Sequence, residues 1–81
     1  MRMEVARRIL NPLYERGPLH YRELLRESRV SPRTLSRYLA EMEELGLVAT
    51  VKTRYYKYIA ITKKGEDFLE RARAIQLVLS P

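Results

Sequence analysis

The stretch from Ser31 to Gly46 constrains the fold of this chain more than any other. Ser31 can offer its hydroxyl to the open N–H groups of a helix start, and Pro32 suits a first helical position, where no N–H is needed. Gly46 stands where a left-handed residue closes a helix. Between them, stepping about 100° per residue, the apolar side chains gather on one face. Leu35, Tyr38, Leu39, Met42 and Leu45 form that face. Arg33, Ser36, Arg37, Ala40 and Glu44 form the opposite one, with Thr34 at its edge. The pattern predicts a helix ending at Leu45, buried on one side and presenting two arginines a turn apart on the other.

The flanks read as short elements. Val5, Ile9 and Leu13 recur at helical spacing in a first helix over Met3–Arg16. Pro12 lies inside that span, so it either kinks the helix or opens a fresh one capped by Asn11. Gly17-Pro18 ends the segment, and Leu19-His20 is a short extended piece. Tyr21–Ser28 is a second helix with Leu24 and Leu25 inward, separated from the third only by Arg29-Val30. Leu47–Lys52 and Tyr56–Thr62 are rich in β-branched and aromatic residues and predict two strands. Period two puts Ile59 and Ile61 on one face and Tyr56 and Tyr58 on the other. The turn near Arg54 and Tyr55 has no glycine or asparagine, so a connection looser than a tight two-residue turn is expected. Thr62 can cap a last helix over residues 63–79.

Charge is distributed unevenly. The net charge is +6 and the isoelectric point about 10.0. Residues 29–37 hold Arg29, Arg33 and Arg37 and no acid; residues 51–64 hold Lys52, Arg54, Lys57, Lys63 and Lys64 and no acid. These two segments carry +8, while the remainder, with 8 basic and 10 acidic residues, carries −2. One such run is commonly a solvated face. Two runs coinciding with a helix and a hairpin point instead to a polyanionic partner. The helix chemistry suits double-stranded DNA: arginine forks onto guanine, serine and threonine contact phosphates or bases, and Ala40 permits close approach. Ser31, Arg33, Thr34, Ser36, Arg37 and Ala40 are the candidate groove residues. Lys52, Arg54, Tyr55 and Lys57 are the candidates at the hairpin tip, for phosphates or the minor groove.

The order helix, helix, helix, strand, strand, helix defines a mainly α, α+β fold, the winged helix-turn-helix, in one domain. The segment RVSPRTLSRYLAEMEELGLV resembles the recognition-helix region of winged-helix transcriptional regulators. ILNPLYERGPLHYRELL is similar to their first two helices, and YKYIAITKKGEDFLERA, with Ile61-Thr62-Lys63-Lys64-Gly65, to their last strand and helix. The resemblance spans roughly residues 5–72. It extends to the multiple-antibiotic-resistance, phenolic-acid and arsenical regulator types and to small archaeal regulators and chromatin proteins. It implies sequence-specific DNA binding without catalysis. A non-specific chromatin-type coat and a winged-helix protein–protein module are the alternatives. Pro12 departs from the pattern. So does the lack of cysteine, which with His20 alone leaves no ligand set for the metal-sensing branch.

Other features narrow the function further. In the last helix Phe68, Ala72, Ile75 and Leu79 recur on one stripe, which Leu69, Leu77 and Val78 widen beyond the needs of one small core. The last helix either folds back onto the first helix of its own chain or, as the surplus favours, pairs two copies in a homodimer against Val5 and Ile9 of either chain. Glu41, Glu43 and Glu44, and Asp67 with Glu70, read as solvated helix faces. Gly17, Gly46 and Gly65 are isolated and form no phosphate loop. An 81-residue core can hardly enclose a catalytic pocket, so no enzyme activity and no cofactor is expected. The N-terminus lacks a signal-peptide pattern, and no apolar run is long enough for a membrane span. A cytoplasmic, nucleoid-associated protein is the expectation. Twelve arginines against four lysines, with one asparagine and one glutamine, fit a thermophilic source as a tendency.

Overall fold

The structure, a computed structural model, describes residues 1–79. Its elements are α1 (Met3–Arg16), β1 (Leu19–His20), α2 (Tyr21–Ser28), α3 (Pro32–Glu44), β2 (Val48–Lys52), β3 (Lys57–Ile61) and α4 (Lys63–Leu79). Ile9, Leu10 and Leu13 of α1, Leu24 of α2, Leu35 and Met42 of α3, Ile59 of β3 and Leu69 of α4 are wholly buried and meet in one core. The architecture is the expected winged helix, with one addition. β1 pairs with β3 through Leu19↔Ile59 and His20↔Tyr58, so the sheet has three antiparallel strands in the order β1-β3-β2 rather than two. Two residues are too few to show an alternation, which is why only an extended piece was legible there.

Local chemistry explains the boundaries. Ser31 Oγ accepts from Thr34 N–H at 3.2 Å and caps α3. At its other end Leu45 is the cap residue, and Gly46 adopts φ 77°. Gly46 N–H then reaches Glu43 O at 3.0 Å and Leu47 N–H reaches Met42 O at 2.8 Å, a Schellman closure. α1 runs unbroken through Pro12. Asn11 therefore starts no new helix; its side chain accepts from Arg73 Nη2 of α4 at 2.6 Å. The hairpin connection is the expected looser one. Lys52↔Lys57 is the last pair, and residues 53–56 form the loop without a positive φ. Thr53 N–H donates to Tyr56 O at 2.8 Å, and Thr53 Oγ1 accepts from Tyr56 N–H at 3.0 Å.

Thr62 joins sheet to α4 as expected. Its hydroxyl donates to Gly46 O at 2.6 Å and accepts from Gly65 N–H at 3.0 Å. Further along, Tyr14 of α1 donates to Glu70 Oε1 at 3.0 Å, and the Arg73 guanidinium lies 5.3 Å from the Tyr14 ring centroid. The Glu70 carboxylate, as acceptor and as nearby negative charge, raises the Tyr14 phenol above its ordinary value. Beyond this clasp, α4 leaves the body of the molecule.

Candidate nucleic-acid interface

The two helices of the helix-turn-helix, α2 and α3, meet through a turn at Arg29, which holds φ 57° without being glycine. The turn throws the N-terminal half of α3 outward. Arg33, Ser36, Arg37 and Ala40 are exposed along it, Thr34 is half-buried, and Ser31 is exposed at the cap. Leu35, Tyr38 and Met42 are buried beneath, as the wheel requires, and Leu39 is half-buried. Leu45, assigned to the buried side, is exposed because the helix closes at that residue. The Arg37 guanidinium lies 5.8 Å from the Tyr38 ring centroid, within cation–π range.

The hairpin carries the second set. Lys52, Arg54, Tyr55 and Lys57 are all exposed. Lys52 and Lys57 are direct cross-strand partners, and opposed like charges destabilise a bare ladder. Arg54 lies 5.8 Å from the Tyr55 ring centroid at the tip. The second basic run does not act as one patch. Lys63 pairs with Asp67 at 3.1 Å, and Lys64 Nζ donates to Leu45 O at 2.7 Å, so both belong to the base of α4.

Where the acids sit decides the electrostatics. Among the described residues the ion pairs join Arg8 to Glu4, Arg16 to Glu27, Lys63 to Asp67 and Arg73 to Glu15. None involves Arg33, Arg37, Lys52, Arg54 or Lys57. Two exposed basic clusters thus stand clear of these ion pairs, one on α3 and one on the wing. The exception is Glu43, read from sequence as merely solvated. It lines one shallow cleft with Thr50, Lys52 and Lys57, and Thr50 Oγ1 donates to it at 3.4 Å.

One further contributor escaped the sequence reading. The Tyr21 hydroxyl at the start of α2 lies 2.9 Å from Ser36 Oγ and 3.2 Å from Pro32 O, bridging α2 to the exposed face of α3. His20 packs its ring 4.7 Å from that of Tyr56 and 4.4 Å from that of Tyr58. The lone histidine is therefore a sheet residue, and these tyrosines are held by it. The His20–Tyr58 contact follows from the β1–β3 pairing, which no local pattern announces.

The described pairing residues separate into three groups. Ile9 is fully enclosed by its own chain and Ala72 nearly so; neither offers surface to a second copy. Val5 and Phe68 are half-buried against the core. Ile75, Leu77 and Val78 are 58%, 79% and 83% exposed. The side chain of Leu79 lies outside the described residues. No helix among the described residues is long and apolar enough to cross a membrane.

A helix-turn-helix whose second helix is exposed, followed by a hairpin wing, defines a winged-helix nucleic-acid-binding domain. The chain belongs to the winged helix-turn-helix DNA-binding family, whose sequence profile matches residues 4–49. No curated protein matches it. Among solved structures it is similar to Sso10a-2, a DNA-binding protein from Sulfolobus solfataricus. There the TM-score is 0.85 at 15% identity, over 96% of this chain and 80% of that one, a likeness of fold alone. It is similar also to a MarR family protein from Bacillus stearothermophilus, with a TM-score of 0.76 at 27% identity, over 99% of this chain and 60% of that one. NadR in complex with 4-hydroxyphenylacetate gives a TM-score of 0.74 at 27% identity, over 94% of this chain and 62% of that one. The chain spans about three-fifths of these last two proteins.

Proposed function

We propose that the protein is a homodimeric transcriptional regulator that recognises specific double-stranded DNA and acts by occupying an operator. The observation that carries this reading is the unpaired charge of Arg33 and Arg37 on the exposed face of α3, beside a wing whose cations are likewise free of ion pairs. The N-terminal half of α3 enters the major groove. Arg33 and Arg37 each offer a fork to guanine O6 and N7, and Ala40 lets the helix axis come close. The helix dipole favours phosphate near Ser31 and Thr34. Lys52, Arg54 and Lys57 hold flanking phosphates, and Tyr55 at the tip contacts the sugar–phosphate wall. The exposed Ile75, Leu77 and Val78 pair two chains through α4, so that two reading helices address one palindrome. Such a protein works on the nucleoid and performs no chemistry of its own.

Selection of bound duplexes from a random pool tests the reading. A palindromic consensus supports it. Retention of all sequences alike would make the chain a sequence-indifferent coat, and no retention at low salt would make it a protein-binding module.

A further inference from the structure

The Tyr21 bridge has a direction. A phenol has one proton to give. The Pro32 carbonyl can only accept, so the 3.2 Å contact requires that Tyr21 donate to it. The proton in the 2.9 Å contact with Ser36 must then come from Ser36. Both bonds exist together in only one polarity, Ser36 O–H to Tyr21 O–H to Pro32 O=C. The aromatic ring that anchors this chain is half-buried against the core at the start of α2, so the hydroxyl is held rather than free to swing.

We infer that Tyr21 is a specificity-determining positioning residue: by taking the Ser36 proton inward it leaves Ser36 presenting only lone pairs to the major groove. This rests on α3 being the reading helix. A serine free to rotate is sequence-tolerant, since it can donate to guanine O6, thymine O4 or a phosphate, or accept from an amino group. With its proton committed to Tyr21, Ser36 can only accept. The groups that donate in the major groove are adenine N6 and cytosine N4. A carbonyl or phosphate oxygen at that position faces lone pair against lone pair and leaves a desolvated acceptor unmatched.

The neighbouring hydroxyl is set the opposite way. Ser31 Oγ donates to Thr34 Oγ1 at 2.9 Å while accepting from Thr34 N–H, so Thr34 keeps its own proton to give. Thr34 suits a phosphate, and Ser36 an amino-bearing base edge. Two similar residues on one turn of helix thereby acquire different roles without any difference in exposed chemistry that the sequence alone would reveal.

The test uses the intact protein and its selected duplex, with every base pair varied in turn. The parent should favour, at one pair, a base with an exocyclic amino group by about fivefold to tenfold, the range of one hydrogen bond. Replacing that base by its analogue lacking the amino group should remove the preference. Tyr21→Phe keeps the ring and frees Ser36; it should flatten discrimination at that pair alone to within about twofold, with the salt slope unchanged. Ser36→Ala should flatten the same pair, and the double variant should add nothing. Loss of affinity on all duplexes alike, or a lowered melting temperature accounting for the change, would make Tyr21 a strut and overturn the inference. So would discrimination that survives Tyr21→Phe, or a parent preference at that pair for a carbonyl-bearing base. A parent that discriminates nowhere defeats the proposed function itself, and the inference falls with it; discrimination elsewhere that is unmoved defeats only the inference.

Discussion

The Leu47 carbonyl lies against the α-carbon of Gly65, so close that a β-carbon there would overlap it and would stand 2.7 Å from Ile61 Cγ1. The same carbonyl accepts from Thr62 N–H at 3.0 Å and cannot retreat without breaking the join between sheet and α4. Gly65→Ala would gain up to about 1 kcal/mol of helix propensity. Overpacking against backbone costs more, about 1–3 kcal/mol. The variant should therefore be less stable in urea titration at fixed protein concentration, with an unchanged m-value; equal or greater stability would contradict the contact.

On the proposed reading, base recognition rests on two forks. Arg33→Ala and Arg37→Ala should each cost about 1–3 kcal/mol on the selected duplex and relax preference at one base pair apiece. Titrations against the consensus and single-pair variants measure both effects. Parent-like binding by both variants would remove α3 from the groove.

The wing should behave differently. Removing Lys52, Arg54 or Lys57 should weaken binding to every duplex similarly and reduce the logarithmic salt slope by about one each. Glu43→Gln should act in the opposite sense, tightening binding to all sequences, because it removes the carboxylate beside Lys52 and Lys57. A triple wing variant with the parent's slope would place the hairpin away from the duplex.

Most elements were legible because each has a local cause: the Ser31 cap, the Pro32 start, the Gly46 closure and the Leu35–Met42 stripe act within a few residues of themselves. What escaped acts across the chain. Asn11 looked like a cap because nothing local names Arg73, 62 residues away, as its partner. Glu43 looked merely solvated until β2 and β3 brought Lys52 and Lys57 beside it. The face of the third helix was readable from periodicity, whereas the hydroxyl behind Ser36 belongs to another helix.

Assembly can be tested at the far end of α4. Ile75→Glu with Val78→Glu should give a monomer that keeps weak binding to any DNA and loses the palindrome. Sedimentation at micromolar concentration decides: a parent that runs as a single 9.6 kDa species excludes the pairing. The variant should keep the parent's secondary structure, since neither side chain contributes to the core.

The Tyr14–Glu70 clasp sets a pH dependence. The phenol is raised above 10.0 in the folded chain by Glu70. A raised folded value means that stability is fully present below the unfolded value and declines as pH rises through the folded one. Lys63, raised by Asp67, declines in the same direction. Melting temperatures should fall on the alkaline side of pH 10.0, and Tyr14→Phe should fall less steeply than the parent there. Identical profiles would show that the clasp carries no proton-linked stability.

The short strand at Leu19–His20 has a mechanical meaning. It stitches the root of the wing to the residue from which α2, and hence the helix-turn-helix, departs. Hairpin and helix-turn-helix are thereby joined through one sheet rather than carried on independent arms. A duplex docked on both would have to match a fixed span between the floor of one groove and the phosphates of the next. Steps that narrow or stiffen the intervening DNA would be favoured even where no side chain meets a base. On the proposed reading, the chain would measure the width of its target as well as spell out its letters.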